Sequence, residues 1–277
     1  WTTTACWPPM PNAATIRRPE RPIDARITLP RSKSLANRAL ILAAHAGDLS
    51  LVIHPGDAED TSSLLRLLKE RPRVMHCGDG GTTFRFLLAW ACVQEGEEHL
   101  LTGSMRSMER PHAPLIEALI TLGADITRTE TGHLVRGGRM RGGTITLDSP
   151  VSSQFISALL LIAPHFEDGL KLHWTGRRLS GPYVDMTVAM LNHFGVAARV
   201  EGDVIIVPPS ALEPVPFEVP ADWSAAAFWL EIMALTDAGT IELQGLRTGM
   251  DQGDERAVEY WSSLLHTEHA NTGTIVR

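Results

Sequence analysis

Cysteine is scarce in this chain: three residues in 277, at Cys6, Cys77 and Cys92. An odd count without metal-ligand spacing excludes a disulfide framework and a zinc module, and it points to a reducing, cytoplasmic setting. Cationic excess is lacking too. With 25 Lys+Arg against 32 Asp+Glu the formal charge is −7, which argues against a general nucleic-acid or membrane-surface binder. Any anionic ligand therefore needs a local cationic pocket. No apolar run approaches the ~18 residues of a membrane helix. The opening WTTTACWPPMPNAAT lacks the basic-then-apolar grammar of a signal peptide. What is present is an ordinary globular composition, 44% hydrophobic, long enough for a large core and about two domains.

A repeat organises that composition. RSKSLANRALILAAHAGDLSLVIH, GGTTFRFLLAWACVQEGEEHLLT, SSQFISALLLIAPHFEDGLKLHW and DWSAAAFWLEIMALTDAGTIELQ share one plan. Each opens on hydroxyl residues, runs through a helical apolar block to a glycine, and closes in a strand with alternating apolar positions. The glycines Gly47, Gly96, Gly169 and Gly239 stand where a helix C-terminus needs positive φ, at intervals of 49, 73 and 70 residues. Interleaved with them, PLIEALITLGADITR and VDMTVAMLNHFGVAARV read as amphipathic helices ending at Gly123 and Gly195, 72 residues apart. The expected fold class is α/β, built of repeated βαβαββ units whose first helix, apolar nearly all round, is buried among the sheets. Three units occupy residues 24–212, and a fourth begins after the proline-rich crossover ALEPVPFEVP.

The helix starts carry the chemistry. A helix N-terminus offers unpaired N–H groups and partial positive charge, so hydroxyls and cations there form an anion site. Ser34 and Arg38 are i, i+4 neighbours with Lys33 beside them; Gly80, Gly81 and Thr82 precede Arg85; Ser152, Ser153 and Gln154 precede a wholly apolar helix; Arg106, Glu109 and Arg110 precede Pro111. Simple capping and solvated charge account for any one of these. Pseudo-symmetric packing of all four would turn them towards one cleft.

These stretches resemble a known family. LPRSKSLANRAL is similar to the P-G-S-K-S-x-S-N-R signature of the 5-enolpyruvylshikimate-3-phosphate synthases (3-phosphoshikimate 1-carboxyvinyltransferases), and GDGGTTFRFLLA to their G-N-A-G-T-A-M-R motif. RSMERPHAPLIEAL, SPVSSQFISALLLIAP, LSGPYVDMT and GMDQGDERAVEYW resemble four further family segments, so six motifs run in family order from Leu29 to about Trp261.

The resemblance implies the enolpyruvyl transferase fold, with two lobes of three units each and a cleft that closes between them. It maps residues 24–212 to the first lobe and residues 1–23 with 213–277 to an incomplete second lobe. It implies transfer of the enolpyruvyl group of phosphoenolpyruvate to the 5-hydroxyl of shikimate 3-phosphate, with release of phosphate, in aromatic amino acid biosynthesis. By motif position, Lys33 is catalytic and contacts phosphoenolpyruvate, while Ser34 and Arg38 hold the shikimate carboxylate region. Ser152, Ser153, Gln154, Ser180 and Tyr183 bind shikimate 3-phosphate, and Gly81, Arg85 and Arg110 line the phosphoenolpyruvate side. Asp254 accepts the proton of the attacking hydroxyl, with a helix-capping role as its alternative. Addition of an alcohol to an enol phosphate needs a base, an acid and cations around clustered phosphates, and it requires no metal or organic cofactor. The implied partners are the two small substrates, with no nucleic acid or membrane, for a cytoplasmic monomer whose phosphoenolpyruvate site takes the inhibitor glyphosate.

Departures from the family pattern set further expectations. Arg31 replaces a Gly and adds a cation close to the site; Asp79 and Gly80 stand for Asn and Ala, placing an acid near the phosphate pocket; RTETGHLVRGG is a shortened surface hairpin. The family's later K-E-T-D-R and N-D-H-R segments and a late Lys do not follow Asp254, so the chain is expected to be a fragment or part of a longer protein. A non-catalytic or partner-dependent lobe that binds shikimate 3-phosphate is the alternative to a working transferase. The sister enzyme acting on a UDP-sugar places a Cys in the loop equivalent to Gly103–Arg110, and TGSMRSMER has none.

Overall fold

Short strands and helices alternate along the chain, as the repeat requires. The computed structural model describes residues 22–150, 152–236, 238–249, 252–270 and 273–277, so the expectations for residues 1–21, Cys6 among them, lie outside the described residues. After β1 (Ile23–Thr28) come α1 (Lys33–His45), β2 (Val52–Ile53) and α2 (Glu59–Glu70). The second unit holds β3 (Val74–His76), α3 (Gly81–Cys92), β4 (Glu98–Thr102), the short α4 (Met105–Met108), α5 (Ala113–Thr121), β5 (Asp125–Arg128) and β6 (His133–Arg136). The third holds β7 (Gly143–Asp148), α6 (Ser153–Ile162), β8 (Leu170–Thr175), α7 (Gly181–His193), β9 (Arg199–Glu201) and β10 (Val204–Val207). Then follow β11 (Phe217–Glu218), α8 (Trp223–Ala234), β12 (Gly239–Gln244), α9 (Ala257–Trp261), β13 (Thr267–Ala270) and β14 (Gly273–Val276).

Local chemistry explains the boundaries. Ser32 stands in extended conformation before α1, and Gly47, at φ +85°, follows its end in the left-handed region that glycine enters without cost. Gly123 and Gly195 take positive φ after α5 and α7 in the same way. The shortened hairpin forms as expected, β5 pairing antiparallel with β6.

Three of the four sheets among the described residues repeat one order, and the fourth, β11-β2, has the parallel pair alone. The orders β3-β4-β6-β5, β7-β8-β10-β9 and β1-β12-β14-β13 are one pattern, a parallel pair followed by an antiparallel hairpin. The third of these corrects the sequence expectation. β1 was placed at the start of the first lobe, but it pairs with β12, while β11 crosses the other way to pair with β2. Side-chain burial is the reason: Ile23, Ala25 and Ile27 pack on a core of Trp223, Leu230, Ile241 and Leu243, whereas Phe217 and Val219 join the larger core around α1, α3 and α6. The two cores therefore exchange first strands. The crossings fall at Leu29–Ser32 and Val219–Asp222 rather than at residues 24 and 213. There Arg31 bridges Ala221, Ser32 N–H donates to Pro220 O at 2.9 Å and Asp222 N–H donates to Pro30 O at 2.9 Å.

Arg31 is a second correction. Its Nη1 donates to Val219 O at 2.9 Å and its charge helps hold Glu218 below the usual carboxylate range, behind the Arg247 pair and its hydrogen bond. The side chain braces the crossing and is not among the residues lining the cavities described below.

In the larger core α1, α3 and α6 lie against one another, and each is buried on nearly every face. Their N-termini point the same way, into one cavity.

Candidate active site

That cavity, about 440 Å³, is lined by Lys33, Ser34, Asn37 and Arg38 from α1, and by Thr82 from α3. Ser152, Ser153 and Gln154 contribute from the start of α6, and Leu179, Ser180 and Tyr183 from the start of α7. Four helix N-termini therefore direct their partial positive charge at one space. Ser180 takes φ +56° ahead of α7, a left-handed conformation uncommon for a residue with a Cβ, at the rim of the cavity.

Arg38 forms the cavity floor and is only 2% exposed. Its Nε donates to Thr187 Oγ1 at 2.8 Å, Nη1 to Ser34 O at 2.8 Å, and Nη2 to Ser157 Oγ and Tyr183 O, each at 3.0 Å. Four of the five guanidinium N–H groups are thus spent on protein, clamping α1 to α6 and α7. Burial pulls its pKa down to about 10, which still leaves it charged near neutrality. Asn37 Nδ2 has no hydrogen-bond partner among the described residues, whereas its Oδ1 accepts from Thr61 Oγ1 at 2.9 Å.

Beside this cavity stands Gly81, the last glycine of GDGG. A Cβ at Gly81 would lie 2.5 Å from Arg110 Nη1 and 3.2 Å from Arg85 Nη1, so both guanidinium groups reach the space that glycine leaves open. Burial, then the charge of Arg110, lowers the Arg85 pKa, and Arg85 Nη1 donates to Gln154 Oε1. Among the described residues neither arginine is ion-paired with a carboxylate. Two like charges brought together without a counter-ion form a site for an anion. His112 anchors the Arg110 loop through Ser107 O at 2.9 Å and stacks on Phe84 with ring centroids 4.3 Å apart; burial, foremost, lowers its pKa. Asp79, the acid expected near the phosphate pocket, accepts from Ser104 Oγ and ties its loop to the start of α4.

Asp254 faces a neighbouring cavity of about 250 Å³ between the two cores, which Ser34, Ser180 and Tyr183 also line. It accepts from Ser224 Oγ and caps no helix with its side chain. Buried Gln252 holds this corner in place, receiving Trp223 N–H at 3.1 Å and donating to Ala221 O at 3.0 Å. The cores touch at Gly253, where a Cβ would lie 2.5 Å from Pro182 Cβ.

Lys33, Ser34, Arg38, Ser152, Ser153, Gln154, Ser180, Tyr183 and Asp254 therefore lie at these two adjoining cavities, and Arg85 and Arg110 meet at the Gly81 corner, whereas Arg31, Asp79, Arg106 and Glu109 line neither cavity. Thr82 of the second helix start lines the larger cavity as well, and Asp222 and Ser224, which were not singled out, line the smaller one. The signal for Asp222 and Ser224 was present, because DWSAAAF opens the fourth copy of the repeat. Burial, foremost, raises the Asp222 pKa, and the nearby Asp254 charge adds to this. Among the described residues no group of three His, Cys, Asp or Glu is placed to hold a metal ion, and no helix is long and apolar enough to cross a membrane.

Fold and cavity together define an α/β protein of repeated units that gathers helix N-termini, hydroxyls and cations around one cavity. Residues 69–268 match the family EPSP synthase (3-phosphoshikimate 1-carboxyvinyltransferase), and the chain belongs to that family. It is 38% identical over 257 residues to the 3-phosphoshikimate 1-carboxyvinyltransferase of Bacteroides fragilis (strain YCH46), covering 91% of this chain and 62% of that protein. The enzyme of the same name from Methanospirillum hungatei JF-1 is 33% identical over 269 residues, covering 86% and 62%. An EPSP synthase structure from Acinetobacter baumannii shares the fold, with TM-score 0.73 and 21% identity over 93% of this chain and 65% of that one. The chain thus spans about 62% of the length of these curated relatives.

Proposed function

We propose that this chain carries the shikimate 3-phosphate side of a 3-phosphoshikimate 1-carboxyvinyltransferase, which moves the enolpyruvyl group of phosphoenolpyruvate to the 5-hydroxyl of shikimate 3-phosphate and releases phosphate. The observation that supports it most is the convergence at Gly81 of two guanidinium groups with no carboxylate partner among the described residues, next to a cavity rimmed by helix N-termini and hydroxyls. In this reading Ser152, Ser153, Gln154, Ser180 and Tyr183 bind shikimate 3-phosphate through its phosphate and ring oxygens. Ser34, with the floor residue Arg38, orients the carboxylate region. Lys33, Arg85 and Arg110 hold phosphoenolpyruvate and offset the charge of two phosphates brought close together. Asp254 lies across the cavity from Ser34 and Tyr183, where a base could take the proton of the attacking hydroxyl.

The domain reading follows the strand exchange. One lobe runs between the crossings at Leu29–Ser32 and Val219–Asp222; β1 and the residues from α8 onward belong to the other. Exposed Phe228 and Ile232 on α8 mark the face on which counterpart helices of a second trio would pack.

Calorimetric titration with shikimate 3-phosphate, followed by an assay of phosphate release with phosphoenolpyruvate, tests this function. Binding with release that Asp254→Ala abolishes supports the transferase. Binding without release favours a non-catalytic lobe, and absence of binding by the folded chain refutes the reading. Lys33→Met should abolish release and weaken binding of phosphoenolpyruvate while the melting temperature moves by only a few degrees. The Lys33 side chain is 49% exposed and its ion pair with Asp60 is worth about 1 kcal/mol or less to folding.

A further inference from the structure

Lys33 is half exposed at the first turn of α1, on a side chain with four rotatable bonds, yet it is held. Its Nζ donates to Asp60 Oδ2 at 3.0 Å. Asp60 belongs to the first turn of α2, 27 residues away, and that turn is fixed by its neighbours on both sides. Buried Thr61 donates to Asn37 Oδ1 of α1 at 2.9 Å, and Thr83 Oγ1 of α3 donates to Asp60 O at 3.2 Å. The other carboxylate oxygen lies over the glycine turn: a Cβ at Gly80 would stand 3.0 Å from Asp60 Oδ1 and 2.8 Å from Thr83 Oγ1. Glycine in place of the family's Ala at position 80 leaves room for this carboxylate.

The charge is out of keeping with the pocket. A carboxylate behind a site for two anions weakens them by simple Coulomb repulsion. An exposed ion pair adds little to folding. The cavity lining includes Lys33 but not Asp60, so Asp60 can favour a ligand there only through the lysine, against its own through-space repulsion.

We propose that Asp60 is a positioning residue: it anchors one N–H of the Lys33 ammonium and aims the other two at the phosphorylated ligand, and Gly80 keeps the space that allows this. Ordering the ammonium beforehand removes a rotamer cost that the ligand would otherwise bear. The role in ligand binding rests on the function proposed above; the anchoring of Lys33 does not.

The chain has three lysines, Lys33, Lys69 and Lys171, so a nitrogen-15 ammonium correlation spectrum of the ligand-free protein resolves Lys33 against two internal controls. Lys33 should show slower ammonium proton exchange and a higher order parameter than Lys69. Asp60→Asn should erase both differences, and so should Gly80→Ala, which leaves every charge in place. A wild-type Lys33 as mobile as Lys69 overturns the proposal without reference to any ligand. Calorimetry with shikimate 3-phosphate and phosphoenolpyruvate then reads the consequence. Asp60→Asn should weaken binding about tenfold, and the loss should vanish in a Lys33→Met background. Equal or tighter binding by Asp60→Asn would mark Asp60 as a repulsive bystander and overturn the positioning role. An anchored Lys33 in a wild-type protein that binds neither ligand would refute the functional reading, and the ligand role with it, while the anchoring stands.

Discussion

Helices α6 and α8 are both apolar along almost their whole length, and they meet opposite environments. Every residue of α6 from Phe155 to Ile162 is buried. On α8 only Trp223, Ala226, Leu230 and Met233 are, a single stripe at helical spacing, while Phe228 is 69% exposed and Leu235, just past the helix, 72%. The difference lies in neighbours. α6 is surrounded by α1, α3, α5 and α7, whereas α8 rests on β12, α9 and the turn before α9. Apolar composition makes a helix and sets its capacity for burial; how much of that capacity is used depends on what the rest of the fold brings against it.

The sharpest way to break this comparison is to make one substitution in both places. Leu160→Ala removes a fully buried side chain from the centre of the trio and should cost about 3–5 kcal/mol. Leu235→Ala should stay within about 0.5 kcal/mol of wild type, and urea unfolding curves of the two variants measure the contrast. A similar contrast separates the two cations of α1. Arg38→Met removes four hydrogen bonds, three of which tie α1 to Ser157 of α6 and to Tyr183 and Thr187 of α7, and should cost about 3 kcal/mol, where Lys33→Met is close to neutral for folding. Equal melting temperatures for the two variants would show that Arg38 does not clamp α1, α6 and α7 as its hydrogen bonds imply.

The smallest effect is one of pH. His45, His112, His133 and His165 are all held below their ordinary range, chiefly by burial, and all belong to the larger-core region; the charges of His165 and Arg71 lower His45 further. Neutral imidazole is therefore favoured in the fold. Stability from this source is fully present above 6.5, the ordinary histidine value, and is lost as pH falls below it, because the unfolded chain then binds more protons. Hydrogen exchange followed by mass spectrometry at successively lower pH should show α1 and α6 opening earlier relative to their behaviour at neutrality. His45→Leu, which removes the ring stacked on His165 at 4.2 Å, should flatten that slope.

Much of the architecture could be read before any coordinates. Hydroxyl-rich helix starts, apolar blocks and terminal glycines are short-range signals, set by capping geometry and backbone freedom within a few residues. Hence the repeat is legible in the sequence, and so is the enclosure of α1, α3 and α6, while the same expectation for α8 fails because nothing packs on its outer face among the described residues. Arg31 shows the limit. Its place beside the signature suggested a cation for the site, but its partner, Val219 O, lies 188 residues away and turns the side chain to the crossing. Asp60 escaped notice for a related reason, since its meaning depends on Lys33 and Gly80, which belong to two other helices.

The amino-acid sequence alone therefore determined the repeated unit, the positions of its helix starts and stops, and the residue types that can meet an anion. Tertiary structure decided that β1 and β11 exchange cores, that Arg38 spends four donors on protein while half-exposed Lys33 donates to Asp60 at the cavity rim, and that α6 is enclosed and α8 is not. The physical reason is range: propensity, capping and periodicity act within a turn or two of chain, whereas strand partners, ion pairs and burial are chosen among residues that only the packed fold brings together.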